Sequence, residues 1–377
     1  MRDRSEFKKA KRVVVKIGSS QLCERESLSY DRFRALANQV GQIRRRGVEV
    51  ILVTSGAVAA GMTKLGFTAR PTTVRLKQVC ASAGQVSLMA AWDKALAVFD
   101  LKCAQILLTA DDLADRRRFL NARNTMISLV DMGVVPIVNE NDTVAVEELK
   151  VGDNDTLGSM VASLVEADLF INLTDTDGLY ESDPRSDPSA ALVREVSEGC
   201  GPGLERLAGE GGPLGAGGMY TKVRAASRLA ERGLASVIAN GRARDVLARL
   251  IDGEELGTFF RPTKNQRKAR KHWLAFAARP KGALSVDPGA AAALVEKGKS
   301  LLPSGIMNLT GLFDVGDPVS IVGADQEELG IGLSNYSAPE VEKIMGRPSA
   351  QIESILGYTH SEEIVHRDNL VIFKAAQ

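Results

Sequence analysis

The chain has 377 residues, 44% of them hydrophobic, which at roughly 150 residues per domain is enough for two or three domains with sizeable cores. With 48 Lys and Arg against 47 Asp and Glu the formal net charge is +1, so no global field draws it to nucleic acid or membrane, and polyanion binding requires a local patch. The longest apolar stretches are strand-sized, and MRDRSEFKKAKR runs into VVVKIG without a signal-type apolar region; both predict a soluble, cytoplasmic protein with no membrane contact.

From residue 12 to about 260, short β-branched runs alternate with helical patterns, as in an α/β domain with a mostly parallel sheet. The runs are RVVVKIG, VEVILVTSG, AQILLT, VVPIVNEND, ADLFINLTD and ASVIANG, nearly uniformly apolar as expected where helices cover both faces. Between the first two, Phe33, Leu36, Ala37, Val40 and Ile43 keep helical spacing, and Gly47 follows where a helix C-cap belongs. Ligands of such sheets sit beyond the carboxyl ends of the strands. The polar residues cluster there: Lys16, Gly18, Ser19 and Ser20; Thr54, Ser55 and Gly56; Asn139, Asn141 and Asp142; Thr174, Asp175 and Asp177. A turn or helix cap explains any one of these groups, but their repetition at one edge defines a site.

Residues 261–272 open with RPTKNQRKARK, rich in basic residues and without apolar periodicity, and read as a linker. Residues 273–377 then carry short runs such as ALSVD, PVSIVG and LGIGLS between turn residues, with one Ala-rich helical segment, the pattern of a small mostly-β domain. Cys23, Cys80, Cys103 and Cys200 form no CxxC pair and read as free thiols. His272, His360 and His366 lie near the C-terminus, away from the polar clusters, which argues against imidazole catalysis or a histidine metal site; no protein metal-ligand set is expected.

The glycine-rich segment GEGGPLGAGGMYTK, residues 209–222, leads into a helical pattern, and exposed amides at a helix start suit phosphate. Tyr220 and Thr221 before Lys222, with Val223 after it, exclude a Walker loop, and no GxGxxG spacing is present. A flexible connection is the plain alternative. Lys16, after three valines in a buried strand, is costly to place unless an anion meets it or it reaches solvent at the strand edge. Lys16 and Lys222 can flank a transferring phosphoryl group, and Asp153 or Asp155 in KVGDNDTLGSM can pair with them or cap the helix that follows.

VVVKIGSS, VILVTSGAVAAGM, FLNARNT, VPIVNENDTVA, KVGDNDTLG, LTDTDGLYESDPR and GAGGMYTK together resemble the amino acid kinase family, within it the branch that phosphorylates the γ-carboxylate of glutamate at the start of proline biosynthesis. GALSVDPGAAAALVEKGKSLLPSGI resembles a PUA domain. The resemblance covers nearly the whole chain and implies a kinase-like α/β sandwich over residues 1–260 and a PUA-like domain over 273–377. It implies that Lys16 and Lys222 contact the transferred phosphoryl group and that Asp155 holds both lysines. Thr174, Asp175 and the loop Ala216, Gly217, Gly218, Met219, Tyr220, Thr221 and Lys222 would bind ATP. Ser55, Asn139, Asp142 and Asn154 match positions that bind glutamate, with Gly56 and Ala57 offering backbone amides near its γ-carboxylate and Asp142 a partner for its α-amino group. Mg²⁺ on the ATP phosphates, a homo-oligomer, feedback inhibition by proline and hand-over of the acyl phosphate to glutamate-5-semialdehyde dehydrogenase are further implications. Two other readings stay open: another small-acid kinase of the family, and an RNA-binding protein acting through the PUA-like domain and basic linker.

Overall fold

The computed structural model describes residues 1, 3–24, 27–145, 154–197, 204, 218–263, 280–325, 327–359 and 361–373, and the chain divides into two compact units, Met1–Lys264 and Asn265–Gln377. In the first unit all six sequence-predicted strands form: β1 (Arg12–Ile17), β4 (Glu49–Thr54), β5 (Cys103–Leu108), β6 (Val135–Glu140), β7 (Leu169–Thr174) and β9 (Ala235–Asn240). Two short strands, β8 (Glu195–Val196) and β10 (Thr258–Phe260), complete an eight-stranded sheet of order β5-β6-β4-β1-β7-β9-β10-β8. Only the β9–β10 pairing is antiparallel. Neither short strand was legible, because two or three residues are too few for a period to show. The same holds for a small hairpin of β2 (Cys23–Glu24) and β3 (Ser27–Leu28).

Burial on both faces explains the uniform apolarity of the strands. Val13, Val15 and Ile17 enter one core with α2 (Tyr30–Arg44), whose Phe33, Leu36, Ala37, Val40 and Ile43 are all buried. Val14 enters the opposite core, beside Leu157, Val161 and Phe170. Each such side chain contributes about 1.5–3 kcal/mol. Gly47, at φ +81°, turns the chain after α2 and brings it back as β4.

Parallel register aligns the strand ends. Lys16 of β1 lies level with Val53 and Asn172, and Thr174 lies level with Asn240, so residues 18–20, 55–57, 139–142 and 174–177 leave the sheet at one edge. Glycines let two helices close on that edge. A Cβ on Gly84 of α4 (Val74–Ala97) would lie 1.9 Å from Ala57 O, and one on Gly61 of α3 (Ala57–Leu65) 1.7 Å from Cys80 O, so α3 and α4 cross with their backbones touching. In α7 (Asn154–Leu164), a Cβ on Gly158 would meet Phe170 Cε2 at 3.0 Å and Lys16 Cβ at 3.4 Å. Helix α7 therefore rests directly on β1 and β7, with Asp155 nearly one turn before Gly158 and above Lys16.

In the second unit, β11 (Gly282–Val286), β12 (Ile306–Gly311), β13 (Pro318–Val322), β14 (Glu328–Leu333) and β15 (Leu370–Ile372) form a sheet of order β12-β11-β13-β14-β15. It packs around Leu284, Val286, Val319, Ile321, Tyr336 and Val341. The predicted Ala-rich helix runs from Pro288 to Val295, with proline at its first position and the Asp287 side chain capping Ala290 N. Most of the basic linker, with Cys200, His272 and His360, lies outside the described residues. Among the described residues no helix is long and apolar enough to cross a membrane, and Cys23, Cys80 and Cys103 are free thiols.

Candidate active site

Asp155 is fully buried in the first turn of α7, and four side chains from three other elements converge on its carboxylate. Lys16 Nζ of β1 lies 2.5 Å from Oδ1, and Asn172 Nδ2 of β7 donates to the same oxygen at 2.9 Å. On Oδ2, Lys222 Nζ stands at 3.1 Å and Thr221 Oγ1 at 2.8 Å, both from α8 (Met219–Glu231). Both oxygens act as acceptors, the arrangement of an ionised carboxylate. The lysine side chains are only 3% and 8% exposed, so neither snorkels to water. Among the described residues two ammoniums face this one carboxylate, an arrangement that suits an anion.

Asn154, the residue before Asp155, faces a second cluster. Its Nδ2 lies 2.9 Å from Ser55 Oγ, 3.1 Å from Thr54 O and 3.2 Å from Asn139 Oδ1. Asn139 Nδ2 in turn donates to Gln85 Oε1 of α4 at 2.8 Å, and buried Trp92 donates to Thr54 Oγ1 at 3.1 Å. Asn154 Oδ1 is buried without a hydrogen-bond partner among the described residues. Gly56 has φ +110° and precedes α3, whose first turn receives no side-chain cap, so amides from Ala57 onward are available to a ligand. Asp142 lies on the turn after β6, where burial pushes its carboxyl up to about 6.

On the other side of Asp155, Thr174 ends β7 and donates to Asp175 Oδ1 at 3.1 Å. Gly218, the N-cap of α8, offers no side-chain cap to the amides that open the helix. The structure thus joins Lys16, Asp155, Lys222 and Thr221 in one cluster and Ser55, Asn139 and Asn154 in another. It puts Thr174 at the end of β7 and Asp142, Asp175, Gly218, Met219 and Tyr220 on flanking turns and helix starts; Ala216 and Gly217 lie outside the described residues. Sequence reasoning missed Asn172, Gln85 and Trp92. Asn172 alone left a trace, as the one carboxamide in the apolar run LFINL.

The profile of the Amino acid kinase family matches residues 11–240 and that of the PUA domain residues 282–356. The chain belongs to the amino acid kinase family, with a PUA domain behind the kinase unit. Its curated relatives are more particular. A glutamate 5-kinase of Syntrophotalea carbinolica is 48% identical over 97% of this chain and 98% of its own length. The glutamate 5-kinase of Pseudomonas entomophila is 49% identical over 98% of this chain and all of its own. Among solved structures, carbamate kinase from Giardia lamblia bound to AMP-PNP shares the fold at a TM-score of 0.50 with 19% identity, covering 68% of this chain and 100% of that one.

Proposed function

We propose that this chain transfers the γ-phosphoryl group of ATP to the γ-carboxylate of L-glutamate, giving L-glutamyl 5-phosphate, the first step of proline biosynthesis. The observation that carries the site assignment is the divergence of two adjacent side chains: Asp155 gathers the lysines while Asn154 gathers Ser55 and Asn139. Donor and acceptor pockets then adjoin across one peptide unit, the juxtaposition that in-line transfer needs.

The γ-carboxylate is ionised at neutral pH and attacks the γ-phosphorus directly; its oxygen forms the new P–O bond as the bond to the β-phosphate bridging oxygen breaks and ADP leaves. No general base is required. The chain compensates charge and positions the reactants. Lys16 and Lys222 face the transferred group and the amides at the start of α8 face the nucleotide phosphates, with Thr174 and Asp175 flanking the nucleotide. Amides from Gly56 and Ala57 hold the γ-carboxylate, and Asn154, Asn139 and Ser55 line the amino-acid side. Asp155 is committed to the lysines, Thr221 and Asn172, and among the described residues no group of three His, Cys, Asp or Glu side chains could hold an ion. Mg²⁺ carried on the ATP phosphates as part of the co-substrate would add charge neutralisation there.

Asp142 is assigned to the α-ammonium of glutamate, which makes the reaction pH-dependent. Burial pushes its carboxyl up to about 6, so the charged form that can pair with the ammonium predominates only above that pH. We expect kcat/KM for glutamate to fall about tenfold per unit below about pH 6, and Asp142→Asn to lower kcat/KM throughout and abolish that limb. An acid limb unchanged in the variant would remove Asp142 from this role.

The deciding assay is ATP- and Mg²⁺-dependent formation of γ-glutamyl hydroxamate from glutamate and hydroxylamine, beside aspartate and N-acetylglutamate. Product from glutamate alone supports this reading; product from another acid moves the chain to a different substrate within the family. Family membership further supports a cytoplasmic homo-oligomer, proline inhibition at the glutamate site, hand-over to glutamate-5-semialdehyde dehydrogenase, and a division into a kinase domain (1–260), linker (261–272) and PUA domain (273–377). A second reading, RNA binding by the PUA domain, draws on a cleft of about 530 Å³ edged by Lys299, His366 and Arg367. Asp287 and Glu363 share that rim, so its charge is mixed. Submicromolar binding of structured RNA at physiological salt would support it; binding lost on adding salt would not.

A further inference from the structure

Asn172 is 1% exposed in the central strand β7, between Ile171 and Leu173, a position where an apolar side chain is the ordinary choice. It sits level with Lys16 and shares that lysine's face of the sheet, with Phe170 two residues before it in the core beneath α7. Its Nδ2 donates to Asp155 Oδ1 at 2.9 Å, while its own Oδ1 is buried without a partner among the described residues. An orphaned buried acceptor is destabilising. Flipping the amide would turn that oxygen against the carboxylate, a worse arrangement, so the orientation is dictated by Asp155.

Resting on the kinase reading above, we infer that Asn172 is a positioning residue for phosphoryl transfer, retained at a cost in stability to orient the Asp155 carboxylate. The amide supplies a neutral donor to Oδ1, beside the charged one of Lys16. Held from both sides, that oxygen fixes Lys16 Nζ, and Oδ2 is thereby turned to Lys222 and Thr221. Asn172 touches neither substrate; it acts through the carboxylate on the two ammoniums. Because it is uncharged, it adds no charge to the cluster.

The test compares Asn172→Leu and Asn172→Asp with the parent in the hydroxamate assay, with thermal unfolding measured alongside. Leucine matches the shape and removes the orphaned acceptor, so Tm should hold or rise. Meanwhile kcat should fall about tenfold, with KM for glutamate within about twofold. Aspartate places a second carboxyl beside Asp155 Oδ1. The two cannot both ionise cheaply at that distance and share a proton. Protonated, the introduced carboxyl donates as the amide does; deprotonated, it adds a negative charge beside the two ammoniums that face the transferred group. At saturating glutamate, kcat of Asn172→Asp should therefore fall as pH rises, while the parent shows no such fall. The inference is overturned if Asn172→Leu keeps the parent kcat, if its kcat and Tm decline together, or if Asn172→Asp follows the parent pH profile. A parent without hydroxamate product would instead overturn the kinase reading itself.

Discussion

Replacing Lys222 by alanine is expected to lower kcat about 10³-fold, equivalent to about 4 kcal/mol of transition-state stabilisation, with the fold retained. Lys222 Nζ is buried 3.1 Å from Asp155 Oδ2 and carries half of the positive charge facing the transferred group. In the variant, Lys16 still pairs with Asp155, so the protein should fold, but one of the two ammoniums that draw in the phosphoryl group is gone. Lys222→Arg keeps the charge but spreads it over a planar fork that does not match a point contact, and should recover only part of the rate. Steady-state kinetics with both substrates saturating make the measurement. A correctly folded Lys222→Ala enzyme turning over at near the parent rate would eliminate the clamp.

Asp155→Ala should act on stability as well as on rate. Its removal leaves Lys16 and Lys222, both buried and formerly 2.5 and 3.1 Å from its oxygens, without their shared counter-ion. Breaking a buried pair by deleting one partner costs about 3–5 kcal/mol, which lowers Tm by roughly 6–20 °C in a domain of this size. An added polyanion should then restore more Tm to this variant than to the parent, because it meets two cations that have lost their shared carboxylate. Differential scanning calorimetry with and without tripolyphosphate reads both effects. An unchanged Tm would mean that Asp155 does not neutralise the lysines.

Both effects arise from residues that the sequence marks unevenly. Lys16 is conspicuous because a charge after three valines in a buried strand demands an explanation, and Lys222 because glycines precede its helix. Asp155 could not be separated from Asp153 by spacing alone, since either carboxylate could cap or pair. Asp153 lies outside the described residues; for Asp155 the pairing is made by Gly158, which without a Cβ lets α7 settle onto Phe170 and Lys16 and brings Asp155 onto the ammonium. Gln85 was invisible for a different reason. On a long helix a glutamine reads as solvated surface, and only the α3–α4 crossing at Gly61 and Gly84 carries it to Asn139. Thr221 was grouped with the nucleotide loop, yet its hydroxyl meets Asp155.

By itself the sequence determined the α/β class, the strands long enough to show a pattern, and the edge at which the polar residues gather. These follow from local periodicity and from the rule that parallel strands present their carboxyl ends to a ligand. The tertiary structure alone decided which polar residues face each other, because contacts such as Asn172 to Asp155 and Gln85 to Asn139 depend on how closely helices approach the sheet. That distance is set by glycines and packed side chains far apart in the chain, and no local pattern encodes it.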